Sequence, residues 1–158
     1  TLVTEVRGEA GREKSYIVAS VFLDTNVLAY LFDNNAAEKQ QVAQGVIQSG
    51  QRFVISTQVM LELHSVLTRK FAPPLAAPEA AQVLAALGRF EVVAADADLV
   101  LRAAHTVVEH QLSIWDAMIL EAARLAGCSE VWTEDLASGS TIRGVRVVNP
   151  FISEPESR

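Results

Sequence analysis

Apolar residues recur along this chain in two alternating patterns. Short apolar runs of two or three (Val21-Phe22-Leu23, Phe53-Val54-Ile55, Val92-Val93, Val131-Trp132 and, around Arg146, Val145 to Val148) are separated by longer stretches with the 3.6-residue period of amphipathic helices. Helices are predicted over residues 27–32, 36–49, 57–70, 78–87, 96–111 and 113–126. In 36–49 the apolar face is read as Val42, Val46 and Ile47, with Gly50 past its end. In 57–70 it is Val59, Met60, Leu63, Val66 and Leu67, and Pro73-Pro74 stops the helix. Pro78 opens the next helix and Gly88 closes it. Strands separated by helices require crossover connections, which predicts a mainly parallel sheet of five strands covered on both faces.

The totals narrow the class. At 158 residues, half of them hydrophobic, the chain is long enough for one domain with a full core. Its apolar runs are short and interrupted, so no membrane-spanning helix is expected. Residues 1–20 carry charge throughout and no apolar centre, so no signal peptide is expected either. The single cysteine, Cys128, excludes an internal disulfide and a cysteine-based zinc site, and suits a reducing cytoplasm. A net charge of −6 argues against a protein that grips nucleic acid over a broad basic surface.

Four acids stand out. Asp24 follows the first strand directly, where open α/β sheets bind ligands, although Asp also suits a helix N-cap. Glu62 lies at the edge of the apolar arc of its helix, where an ionised carboxylate must reach solvent, a partner or a cation. Asp116 is surrounded in sequence by Trp115, Met118, Ile119 and Leu120. Ser113-x-x-Asp116 could be a variant capping box, which does not account for that density of apolar neighbours. Thr133-Glu134-Asp135 follows the fourth strand and supplies two candidates. If the first and fourth strands are neighbours, Asp24, Glu62, Asp116 and Asp135 can meet at one crevice. Carboxylates that close repel unless a cation neutralises them, and oxygen donors without thiolates select Mg²⁺ or Mn²⁺.

Leu23-Asp24-Thr25-Asn26-Val27-Leu28, Ser56 with Glu62 six positions on, Ser113-Ile114-Trp115-Asp116-Ala117 and Thr133-Glu134-Asp135-Leu136 together resemble the PIN domain, and most closely the VapC-type ribonuclease toxins. The resemblance runs from about residue 21 to 151. It leaves residues 1–20 as an N-terminal extension of unknown role and 152–158 as a tail. It implies a Rossmann-like α/β/α sandwich with a five-stranded parallel sheet. It also implies a Mg²⁺- or Mn²⁺-dependent endoribonuclease, a homodimer, and a small antitoxin as partner. Carried over by residue, the catalytic and metal-binding acids are Asp24, Glu62, Asp116 and Asp135. Asn26 and Thr133 would orient them, and Asp135 rather than Glu134 is taken as the motif acid.

The implied chemistry is in-line attack of water on an RNA phosphodiester, with Asp24, Asp116 and Asp135 holding metal. Glu62 would bind a second ion, hold a water or act as base. His64, His105 and His110 form no catalytic pair, and neither a His-Glu-x-x-His nor a Gly-x-Ser-x-Gly motif occurs. Arg69 and Lys70, ending the helix of Glu62, offer local positive charge for RNA. A receiver domain would need paired acids after its first strand, but Asp24 is followed by Thr-Asn. A haloacid-dehalogenase-type phosphatase needs an acid where Asn26 stands. The alternative kept is a non-catalytic or regulatory PIN module that binds nucleic acid with an antitoxin.

Overall fold

In the computed structural model, which describes residues 3–6 and 15–152, Val3–Val6 (β1) and Ser15–Val18 (β2) pair antiparallel as a two-stranded ribbon. The remainder of the expected N-terminal extension and residues 153–158 of the expected tail lie outside the described residues. Ser20–Leu23 (β3) opens the main sheet, one residue before the start read from sequence. Thr25–Tyr30 (α1) and Ala37–Gln48 (α2) lead to Arg52–Ser56 (β4). Thr57–Ser65 (α3), Ala77–Ala86 (α4), Glu91–Val93 (β5), Ala97–His110 (α5) and Ile114–Leu125 (α6) follow. Glu130–Trp132 (β6), Thr141–Ile142 (β7) and Val145–Val148 (β8) complete the order.

The main sheet runs β5-β4-β3-β6-β8-β7. The five strands expected from sequence are parallel to one another, as expected. A sixth, β7, adds antiparallel to β8 and was not foreseen. Its two-residue turn, Arg143-Gly144, has positive φ at both positions (53° and 79°), the geometry for which Asn-Gly is the usual signal. Arginine in the first position conceals it.

Parallel strands explain the unbroken apolar runs, since both faces are covered. Phe22, Leu23, Val54, Ile55 and Val131 are fully buried in one core with Val59, Leu63 and Leu67 from α3 and its extension and Leu120 and Ala123 from α6. Truncating one of these leucines to alanine costs about 2–5 kcal/mol. Two details depart from the sequence reading. The inward face of α2 is Ala43 and Val46, while Val42 is 38% exposed. The helix after β4 ends in a wider turn of π type at Val66–Lys70. Among the described residues no helix is long and apolar enough to cross a membrane.

From β3 the chain crosses outward to β4 and β5, then returns to the other side of β3 to place β6. That reversal makes the gap between the carboxyl ends of β3 and β6 the topological switch point, where open α/β sheets hold ligands.

Candidate functional site

Both strands that flank the switch point end in acids. β3 runs into Asp24, whose amide extends the ladder by donating to the Trp132 carbonyl at 3.1 Å. β6 runs into Thr133-Glu134-Asp135. Asp24 is also the N-cap of α1, its Oδ1 accepting from the Thr25 amide at 2.7 Å. The cap uses one oxygen; Oδ2 accepts the Thr133 hydroxyl proton at 2.8 Å. Capping and site roles therefore coexist on one side chain.

Thr133, fully buried, is the junction. Its hydroxyl donates to Asp24 and accepts from the Asn26 amide nitrogen (3.1 Å) and from the Asp135 backbone N–H (3.1 Å). One donor and two acceptor positions are all a hydroxyl has. The same Asn26 nitrogen donates to Asp135 Oδ2 at 3.0 Å, and Asn26 Oδ1 accepts from the Glu134 amide at 3.3 Å. An aspartate at position 26 would face two acceptors and lose both bonds.

Glu62 joins from α3. Its Oε2 accepts from the Thr25 hydroxyl at 2.8 Å and its Oε1 from the Gln58 amide at 2.9 Å. Gln58 reaches the Trp115 carbonyl at 3.4 Å, which ties the start of α6 to α3. Sequence reading did not single out Thr25 or Gln58; both look like ordinary first-turn helix residues.

Asp116 is the acid that these bonds do not gather in. It lies half-buried in the first turn of α6, and its amide is capped by the Ser113 hydroxyl at 3.1 Å. That is half of a capping box; its carboxylate makes no hydrogen bond among the described residues. Nor is it packed as the sequence pattern suggests, because Trp115 is 65% exposed.

Glu134 is occupied elsewhere. Its carboxylate accepts from Tyr30 Oη (2.7 Å) and Lys39 Nζ (2.8 Å), and Lys39 also donates to Tyr30 Oη at 3.0 Å. The bond to Glu134 raises the Lys39 pKa above its ordinary value, followed by the bond to Tyr30. Phe151 stacks edge-on to Tyr30 at 4.9 Å and closes this corner.

Burial dominates the electrostatics of Asp24. It pushes the carboxyl up from 3.8 to about 6, against the bonds from Thr133 and Thr25; the charges of Asp135 and Glu62 add to the rise. Among the described residues none of Asp24, Glu62 and Asp135 is paired with a lysine or arginine. A cavity of about 430 Å³ opens beside Asp24, lined by Thr25, Asn26, Glu62, Lys70, Glu134 and Asp135 among others. The all-oxygen donors and the surplus of negative charge fit a hard divalent cation. As the side chains stand, no three acids, histidines or cysteines among the described residues are grouped closely enough to hold one. Asp135 is turned to Asn26, and Glu62 to Thr25 and Gln58.

The model of the PIN domain matches residues 21–137. No curated protein matches the chain. Among solved structures, a toxin–antitoxin complex from Klebsiella pneumoniae is 23% identical with a TM-score of 0.63, covering 82% of this chain and 97% of that one. VapC20 from Mycobacterium tuberculosis, a Sarcin-Ricin loop cleaving toxin, is 24% identical with a TM-score of 0.58, over 70% and 86% of the two chains. VapBC2 from Rickettsia felis, bound to a DNA fragment from its promoter, is 15% identical with a TM-score of 0.58, over 81% and 96%. These likenesses are of fold. The family match spans most of the sequence and covers β3 through the acids after β6, and on it the chain belongs to the PIN-domain family of nucleases.

Proposed function

We propose that this chain is the toxin of a toxin–antitoxin pair and acts as a Mg²⁺- or Mn²⁺-dependent endoribonuclease in the cytoplasm. The observation that carries the reading is the convergence of Asp24, Glu62 and Asp135 on the switch point without a basic partner, through bonds that use Thr25, Asn26 and Thr133. The solved relatives named above as toxins and toxin–antitoxin complexes support the toxin assignment.

In this proposal Asp24, Asp116 and Asp135 hold the metal, and Glu62 holds a second ion or a water, or takes the proton of the attacking water. The metal, when bound, polarises the phosphoryl oxygen and lowers the pKa of water. Thr133 and Asn26 fix the directions of Asp24 and Asp135. Glu134 and Asp135 both line the cavity, but Tyr30 and Lys39 hold the Glu134 carboxylate, so Asp135 is the acid of that pair without a basic partner among the described residues. Lys70, at the wall of the same cavity, supplies a positive charge for the RNA backbone. A homodimer would pool such charges on a chain of net charge −6. An antitoxin would silence the site by inserting an arginine or lysine among Asp24, Glu62 and Asp135, which have no such partner among the described residues.

Induced expression in bacteria tests the toxin reading. Growth arrest is expected, relieved by Asp24→Asn and by co-expression of a cognate antitoxin. An Asp24→Asn variant as toxic as the parent would overturn it.

A further inference from the structure

Beside the acid cavity lies a second one of about 470 Å³ whose wall is mostly apolar, formed by Leu61, Ala95, Trp115 and Met118, with Thr57 and Gln58 at its polar edge. Glu62 and Ser65 line both cavities, so the two are contiguous across one turn of α3. The exposure here is unusual for large apolar residues: Leu61 is 72% exposed and Trp115 65%. Trp115 is the immediate neighbour of Asp116, and its carbonyl is held by Gln58, the residue that also holds Glu62. The backbone at Trp115 is therefore tied to the edge of the acid site by the same side chain that holds a site carboxylate, which leaves the indole exposed beside it.

We propose that the apolar cavity is a base-binding subsite, in which one unstacked nucleobase of a single-stranded RNA lies against Trp115 while the strand passes over Glu62 toward Lys70. This rests on the reading of the acid cavity as an RNA-cleaving site. The argument is complementarity of charge and polarity along one track. Lys70 has no acidic partner among the described residues and stands at the far wall of the acid cavity, where it suits a phosphate. An indole face suits any base, because every base has a π-face. A nucleotide strand alternates anionic phosphate with aromatic ring, and the two contiguous cavities present the matching sequence of surfaces. Gln58 and Lys70 are twelve positions apart on the α3 stretch, about 18 Å at helical rise. Duplex RNA buries its bases in the stack and cannot offer one, so the subsite selects single strands, loops and bulges.

The test is fluorescence anisotropy with a short mixed-sequence single-stranded oligoribonucleotide carrying phosphorothioate linkages, in Mg²⁺ at low salt. Trp115→Ala and Trp115→Phe are compared with the parent, and sedimentation gives the oligomeric state of each. Trp115→Ala is expected to weaken binding by about ten- to a hundredfold. Trp115→Phe should retain most of the affinity. An oligomer with abasic sites should bind parent and Trp115→Ala equally. Equal affinity of parent and Trp115→Ala for the intact RNA would overturn the subsite and leave the nuclease reading standing. So would a loss that persists with abasic RNA, or a change of oligomeric state in Trp115→Ala, which would make this patch an interface between copies. A parent protein that binds no single-stranded RNA would overturn the nuclease reading and the subsite together.

Discussion

Thr133 donates its hydroxyl proton to Asp24 at 2.8 Å, across the seam where β3 and β6 part. The bond joins two residues 109 positions apart and aims the most buried acid of the site. Because Thr133 also accepts from Asn26 and Asp135, its loss disturbs three groups at once. Thr133→Val keeps the shape and removes the hydroxyl. Unfolding in denaturant should show a cost of about 1–3 kcal/mol, the penalty for buried polar groups left unmatched. Thr133→Ser, which keeps the hydroxyl, should recover most of it.

Asp24 sets a pH dependence with a definite sign. Its carboxyl titrates near 6 in the folded chain against 3.8 ordinarily, so between these values the folded state holds more protons than the unfolded state. In EDTA its contribution therefore falls as pH rises from about 4 to about 6, by up to about 3 kcal/mol in total. Asp24→Asn removes that slope. The measurement is the difference in unfolding free energy between parent and variant at pH 4 to 7. A difference that stays constant across the window would contradict the account. Adding Mg²⁺ above pH 6 should stabilise the parent and not the variant.

Glu121 behaves in the opposite way, far from the site. It is 2% exposed on α6, accepts from Thr106 at 2.6 Å, and pairs with Arg124 (3.1 Å) and Arg143 (3.2 Å). Burial would push its carboxyl up. The Thr106 bond and the two guanidinium groups outweigh that and hold it below the usual 4.5. Its contribution is complete above about pH 4.5 and is lost as pH falls through the folded value. Glu121→Ala should cost about 2–4 kcal/mol at pH 7 in thermal or denaturant unfolding, since it strands two partly exposed arginines and a buried hydroxyl.

Most of the fold was legible because it rests on patterns of apolar residues. The runs at 21–23, 53–55, 131–132 and 145–148 each became a strand of the parallel sheet, and the acids after the first and fourth lie side by side as adjacency required. What escaped depends on single conformations. β7 needs two residues at positive φ, one of them an arginine. Val42 and Val46 share an apolar look, but α2 is rotated so that Ala43 takes the inward place. At the site, Asp24, Asn26, Thr133 and Asp135 form one hydrogen-bonded group, while the outward indole of Trp115 runs against its apolar sequence neighbourhood. How Glu134 and Asp135 differ could not be read from Thr-Glu-Asp. Both line the cavity, but the Glu134 carboxylate is held by Lys39 and Tyr30, about a hundred positions away in sequence, and that of Asp135 by Asn26.

Lys39 offers a direct check on that division. The ion pair with Glu134 is half-exposed, so Lys39→Met should cost only about 0–1 kcal/mol in unfolding. It leaves Glu134 with Tyr30 alone, beside Asp135. Calorimetric titration with Mn²⁺ should then show binding altered more than stability. Lys39→Arg should restore the parent behaviour.

The central claim is that the acids at the switch point cut RNA with a divalent ion. Purified protein, freed of any partner, would be incubated with structured and single-stranded RNA in Mg²⁺, Mn²⁺ and EDTA, beside Asp24→Asn and Asp116→Asn. The account predicts cleavage in either metal, none in EDTA, and a loss of at least about a hundredfold in each variant. Cleavage that continues undiminished in EDTA or in both variants would contradict it.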